Sequence, residues 1–140
     1  MIRRFTQEDM PDIMRIWIEG NLDAHGFVGG DYWRRMYEHT RREIARSEVY
    51  VYVEKGEVAG FIGLSDSYVA GLFVDREHRS KGFGKALLNY AKKLKCALSL
   101  HVFEENRGAV RFYLREGFSA SKREKNSDLW QQELLMKWEK

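Results

Sequence analysis

The chain has 140 residues, of which 44% are hydrophobic and 32% charged, enough for one compact domain with a sizeable core and too few for two ordinary ones. No apolar run approaches the roughly 20 residues that span a bilayer, the first ten residues lack the apolar core of a secretory signal, and a single cysteine excludes an intramolecular disulfide. One soluble domain over residues 1–140, in a reducing, cytoplasmic setting, is the expectation. The 24 basic and 21 acidic residues are too nearly balanced for a nucleic-acid footprint to lead, and no His or Cys spacing resembles a zinc site or an EF-hand loop, so no metal is implied.

Ile2 to Phe5 reads as a short strand. Thr6, with Asp9 three positions on, is a helix-start signal ahead of Met10, Ile13, Met14, Trp17 and Ile18 at helical spacing, and Pro11 lies in the first turn, where it is tolerated. "EGNLDAHGFVGG", rich in glycine, reads as a loop before a second helix opened by Asp31 and running through "YWRRMYEHTRREIARS". Glu38 and Arg42 stand at i,i+4 on it, and the remaining arginines form a solvated face. From Glu48 the period becomes two, with Val49, Val51 and Val53 on one face and Tyr50 and Tyr52 on the other, and "KGE" turns the chain into a partner strand, Val58 to Leu64.

After "SDS" come the strand "YVAGLFVD", a loop with Gly82 and Gly84, and a helix with Phe83, Ala86, Leu87, Tyr90, Ala91 and Leu94 at helical spacing. The alternating strand "ALSLHVF" follows, then a helix capped by Asn106 and ended at Gly117, then two last strands around "NSD". The element order is βααβββαβαββ. A loop passing from a strand into a helix offers unpaired amides and the helix dipole to an anion such as phosphate. "GFGKA" meets neither the Rossmann nor the Walker pattern, so the residues alone leave two readings open: a phosphate cradle, or a tight strand-to-helix connection.

"LFVDREHRSKGFGKALL" resembles the acetyl-coenzyme A motif of the GNAT family of N-acetyltransferases, in which an L-x-V strand leads to an R-x-x-G-x-G loop and a helix; Leu72, Val74, Arg79, Gly82 and Gly84 stand at the matching positions. "NRGAVRFYLREGF" resembles the second family signature, with Asn106, Ala109, Phe112, Tyr113, Gly117 and Phe118 in register, and leans toward the ribosomal-protein N-terminal acetyltransferase branch and small bacterial members. The resemblance implies a GNAT fold of the α+β type: a mixed, mostly antiparallel sheet splayed between its fourth and fifth strands and flanked by about four helices. Arg76 stands where the family commonly has proline.

The resemblance further implies an acetyl-CoA-dependent enzyme that transfers acetyl directly to a primary amine. In it, the amides of Ser80, Lys81, Gly82, Phe83, Gly84 and Lys85 cradle the pyrophosphate, where a Cβ on either glycine would strike phosphate oxygens. Arg79, Lys81 and Lys85 either add charge there or stay solvated. Leu72, Phe73 and Val74 bond the pantetheine arm through their main chain and offer an amide to the acetyl oxygen. Asn106 both caps its helix and reaches the pantetheine, and Tyr113 protonates the leaving thiolate.

For the amine proton, His101 alternates with Leu100 and Val102, occupies the position of the branch's glutamate base, and carries a group whose ordinary pKa is near 6.5. His25 is a rival, and Glu19, Asp23 and Glu104 stay open. The acceptor side is expected from the loop holding His25, Phe27 and Tyr32, and from the hairpin around Asn126 to Trp130, with Trp33 and Trp130 as either wall or core. Cys96 reads as a small buried hydrophobe rather than a nucleophile. A protein or peptide amine, a lysine or an N-terminus, is the leading acceptor. A small-molecule amine, a non-catalytic acyl-CoA sensor and a basic nucleic-acid module remain alternatives, and neither monomer nor homodimer is favoured.

Overall fold

A computed structural model describes residues 1–126 and 128–140, and among these described residues the chain forms seven strands and five α-helices. The order is β1 (Ile2–Arg4), α1 (Met10–Ala24), α2 (Gly30–Arg35), α3 (Tyr37–Arg46), β2 (Glu48–Glu54), β3 (Glu57–Ser65), β4 (Tyr68–Val74), α4 (Phe83–Leu94), β5 (Ala97–Phe103), α5 (Arg107–Arg115), β6 (Ser119–Lys125) and β7 (Gln132–Glu139). The sheet order is β1-β2-β3-β4-β5-β7-β6. Every pairing is antiparallel except β4 with β5.

Both faces of the central strands are covered, which is why β2 and β3 carry apolar residues on both sides, whereas the edge strand β6 is exposed. Val49, Val51 and Phe61 share a buried cluster with Ile13, Met14 and Trp17 of α1. On the other face, Tyr50, Ile62, Leu64, Leu100, Val102 and Met136 share a second buried cluster with Leu87 and Leu88 of α4 and Tyr113 of α5. The β2–β3 hairpin closes through Lys55 (φ 52°) and Gly56 (φ 81°), two left-handed residues whose twist matches the strands they join. At the N-terminus, Asp9 accepts two hydrogen bonds from Arg3 (2.7 and 2.9 Å) and one from the Thr6 N–H (2.8 Å), tying β1 to the start of α1.

Several expectations need correction. The helix expected from Asp31 onward is two helices, so there are five rather than about four. Met36 between them departs from helical geometry mainly in ψ (−3°), a shift that no Gly or Pro marks. Glu38 pairs with Arg41 (3.1 Å) rather than Arg42. The first helix runs on to Ala24, and Gly20, read as a loop residue, lies inside it: a Cβ there would sit 2.8 Å from the Phe73 ring, so this glycine lets α1 settle on β4. In α4 the buried stripe is Phe83, Leu87, Leu88 and Ala91. Leu94, the last helical residue, is exposed, as is Cys96 just beyond it. Trp33 is buried whereas Trp130 is 74% exposed. The hairpin it belongs to includes position 127, which lies outside the described residues.

Candidate active site

β4 and β5 pair at one position only, Tyr68 opposite Ser99, with the Ser99 N–H donating to Ser67 O (2.9 Å). Beyond it the two strands part around a cleft of about 1000 Å³ walled by Val69–Val74 and Leu100–Phe103. The Asp75 N–H donates to Ala59 O (2.7 Å) across β3. Main-chain groups alternate in direction along a strand, so those of Leu72 and Val74 face the cleft, and Arg79 Nε accordingly reaches Val74 O (3.4 Å). Gly60 permits this placement of β4, since a Cβ on it would lie 2.7 Å from Phe73 O.

At the carboxyl end of β4, Asp75 is buried and bonded by Arg15 (3.1 Å) and the His78 ring (3.0 Å). Burial pushes its carboxyl up, but the Arg15 and His78 hydrogen bonds outweigh that and hold it below the usual range. The loop then passes through two left-handed residues, Ser80 (φ 65°) and Gly82 (φ 84°), into α4. The first helical N–H to find a main-chain acceptor is that of Ala86, on Gly82 O (3.0 Å). The amides of Phe83, Gly84 and Lys85 have no protein acceptor among the described residues. They sit at the positive end of α4, an anion seat. Arg79, Ser80, Gly82, Phe83, Gly84 and Lys85 all line the cleft, whereas Lys81 is exposed outside it. Arg79 is ion-paired with Asp23 (3.3 Å), which also takes a bidentate contact from Arg76 (2.9 and 2.9 Å).

Tyr113 and His101 stand on opposite faces of the sheet. Tyr113 is buried against Phe112 and Phe118 on the α4–α5 side and lines the cleft, and burial raises the pKa of its phenol. Its helix is fixed at both ends. Asn106 Oδ1 accepts from the Ala109 N–H (3.3 Å). At the other end Gly117 (φ 92°) turns the chain so that Gly117 N–H reaches Leu114 O (3.2 Å) and Phe118 N–H reaches Tyr113 O (2.9 Å), a Schellman closure.

His101 alternates with Leu100 and Val102 and so shares the opposite face with Phe103. Its Nδ1 is 2.8 Å from the Tyr68 hydroxyl and its Nε2 3.5 Å from Glu124. Burial, with Glu133 and Glu124 nearby, raises the pKa of Tyr68, so the phenol stays protonated. Glu133 lines the cleft and accepts from Asn126 Nδ2 (3.1 Å).

His25 also lines the cleft. Both of its ring nitrogens are engaged: Nδ1 with Asn21 Oδ1 (2.8 Å) and Nε2 with Asn106 Nδ2 (3.2 Å). Burial pulls its pKa down to about 4. Phe27 packs edge-on to His25 and Phe103 at the rim, and Tyr32 packs on Trp33; neither reaches the cleft wall. Glu104 is tied to Arg123, and Glu19 to Arg15 (3.6 Å).

Residues 10–118 match the Acetyltransferase (GNAT) family. The chain belongs to the GNAT acetyltransferases. It is 31% identical over 120 residues to the peptidyl-lysine N-acetyltransferase YiaC of Escherichia coli, covering 84% of this chain and 82% of YiaC. It is 30% identical over 129 residues to the E. coli peptidyl-lysine N-acetyltransferase YjaB, covering 91% and 88%. The solution structure of apo YjaB from E. coli superposes with a TM-score of 0.88 at 27% identity, over 99% of this chain and 96% of that one.

Sequence reasoning passed over Asn21, Tyr68, Glu124 and Glu133. Asn21 is a polar residue on the buried face of α1, a signal visible in the helical period once the helix is extended past Gly20. Tyr68, Glu124 and Glu133 come from three strands, and no spacing in the chain announces their meeting. No helix among the described residues is long and apolar enough to cross a membrane.

Proposed function

We propose that this GNAT enzyme acetylates the side-chain amine of lysine in proteins or peptides, taking the acetyl group from acetyl-CoA held in the β4–β5 cleft. The observation that carries the reading is the fork itself: one backbone pair, then a cleft that ends on three free amides, with a buried tyrosine and a histidine on its two faces. The free amides and left-handed loop suit a pyrophosphate, and the open main-chain edge of Leu72 and Val74 suits the amide-bearing pantetheine arm. Acetyl-CoA brings an acyl thioester open to amine attack; the rest is the work of this chain. No group of three His, Cys, Asp or Glu side chains among the described residues gathers to hold a metal, and acyl transfer from a thioester to an amine is served by the proton-handling groups at hand.

A cleft-facing β4 amide stabilises the oxygen that becomes negative, an effect worth about 10²–10³ in rate. His101 takes the amine proton on the acceptor face, steadied by Tyr68 and the Glu124 carboxylate. Tyr113, kept protonated by burial, gives its proton to the leaving sulfur on the other face. His101, beside the Glu124 carboxylate, fits the base role better than His25, which is packed among aromatic rings and whose basicity burial has removed. The carboxylates of Glu124 and Glu133 draw a cationic amine toward His101. The names of YiaC and YjaB support lysine as acceptor, and a lone exposed cysteine fits a reducing cytoplasmic location.

The test is thiol release from acetyl-CoA with internal-lysine peptides, the same peptides with only a free N-terminus, and small amines. Lysine-dependent release supports the proposal. Release with N-terminal or small amines alone reassigns the acceptor, and binding without any release points to a sensor.

A further inference from the structure

A partly buried chain of hydrogen bonds runs along the cleft from the end of α1 to the start of α5. Asn21 Nδ2 donates to Trp17 O (3.0 Å), His25 Nδ1 meets Asn21 Oδ1 (2.8 Å), Asn106 Nδ2 meets His25 Nε2 (3.2 Å), and Ala109 N–H donates to Asn106 Oδ1 (3.3 Å). Both ends are main-chain groups of fixed sense, because a carbonyl only accepts and an amide N–H only donates. That settles every link between them. Asn21 turns its NH₂ to Trp17 and its oxygen to His25, so His25 carries its proton on Nδ1 and accepts at Nε2. Asn106 turns its oxygen to the helix and one amide hydrogen to His25, leaving its second amide hydrogen and a lone pair for the cleft it lines.

The rings of Phe27, Trp33 and Phe103 enclose the imidazole at centroid distances of 5.8, 5.5 and 4.9 Å. This apolar box disfavours the charged form, and a protonated Nε2 could not accept from Asn106.

We infer that His25 is a positioning residue: it locks the Asn106 carboxamide so that one group caps the Tyr113 helix and presents an amide hydrogen to the pantetheine arm, joining the acceptor loop to the cofactor side of the cleft. The inference rests on the acetyl-CoA reading above. It assigns His25 no contact with the reacting atoms, and it makes the loop after α1 a structural partner of α5.

The experiment uses the full chain, three single variants and one double variant. His25→Phe keeps an aromatic ring in the box and removes both nitrogens, His25→Gln restores an acceptor, and Asn106→Ala removes the residue being held. Long-range ¹⁵N NMR of the ligand-free wild type should report the Nδ1–H tautomer at neutral pH; the Nε2–H tautomer or an imidazolium would overturn the inference. Calorimetry with acetyl-CoA should show affinity weakened about tenfold in His25→Phe, the order expected for losing one oriented hydrogen bond, with partial recovery in His25→Gln. Added to Asn106→Ala, His25→Phe should cost nothing further, because the two act as one unit. Unchanged affinity in His25→Phe, or fully additive losses in the double variant, would remove His25 from this role while leaving the cofactor reading intact. A wild type that binds no acetyl-CoA, with the tautomer as expected, would instead overturn the cofactor reading and the inference with it.

Discussion

Gly84→Ala separates what the glycine does for the protein from what it does for the ligand. Gly84 is the second residue of α4, and a Cβ on it would lie 3.5 Å from Val74 Cγ2 and 3.9 Å from Phe112 Cζ, ordinary contact distances. The chain itself therefore has room for alanine. Replacing a helical glycine by alanine is favourable by up to about 1 kcal/mol, so the free variant should melt at the wild-type temperature or up to about 4 °C above it. If the missing Cβ is clearance for a pyrophosphate, the same substitution weakens acetyl-CoA binding at least tenfold.

At a ligand concentration of about 100 times the wild-type Kd, native-state binding adds about 2.7 kcal/mol, and a tenfold weaker site adds about 1.4. With roughly 4 °C per kcal/mol, the ligand-induced rise falls from about 11 °C to about 6 °C. Scanning fluorimetry of both proteins with and without acetyl-CoA reads all four midpoints. An unshifted ligand response in Gly84→Ala would refute the clearance argument, and a lower midpoint for the free variant would refute the packing estimate.

Tyr113→Phe should retain acetyl-CoA binding and lose about 10²–10⁴ in kcat; full activity in stopped-flow thiol release would discharge Tyr113 as the acid. Asp23→Asn should tighten acetyl-CoA binding a few-fold by freeing Arg76 and Arg79, and calorimetry showing no gain would place both arginines off the phosphate path. Gly60→Ala drives a Cβ into the Phe73 carbonyl and should cost about 1–3 kcal/mol, read as a lower urea midpoint; a neutral result would mean that β3 and β4 yield freely. The pH dependence has a defined sign. His25 is held at about 4 in the native chain against 6.5 ordinarily, so between those values the unfolded chain binds a proton the native chain refuses. Stability then falls as pH drops from 6.5 toward 4, by about 3 kcal/mol at most. Asp9, Asp75 and Glu48, all held low, contribute stability that is lost only as pH falls below the ordinary carboxylate range. Urea titrations at neutral pH and near pH 4.5 should show a shallower slope in His25→Phe; an identical slope would count against the shift.

Much of the architecture was legible because it is local. The alternation of Val49 to Val53, the Lys55-Gly56 turn, the Asn106 cap and the Gly117 stop each depend on neighbours within a few positions, and burial on both faces of β2 follows from its composition. Family membership was legible for the same reason, since both signatures are short and contiguous. Tertiary structure decided the rest. Gly20 looks like a chain breaker until Phe73, more than fifty positions on, is seen to need the space, and no residue type marks the break at Met36. The Tyr68–His101–Glu124 and Asn21–His25–Asn106 constellations draw on strands and helices far apart in the chain. A hydrogen-bonded network depends on distances that only sheet order and strand divergence set, so pattern along the chain could nominate His25 and His101 as a pair but could not separate their environments: one closed in an apolar box with both nitrogens engaged, the other beside a carboxylate at the edge of the cleft.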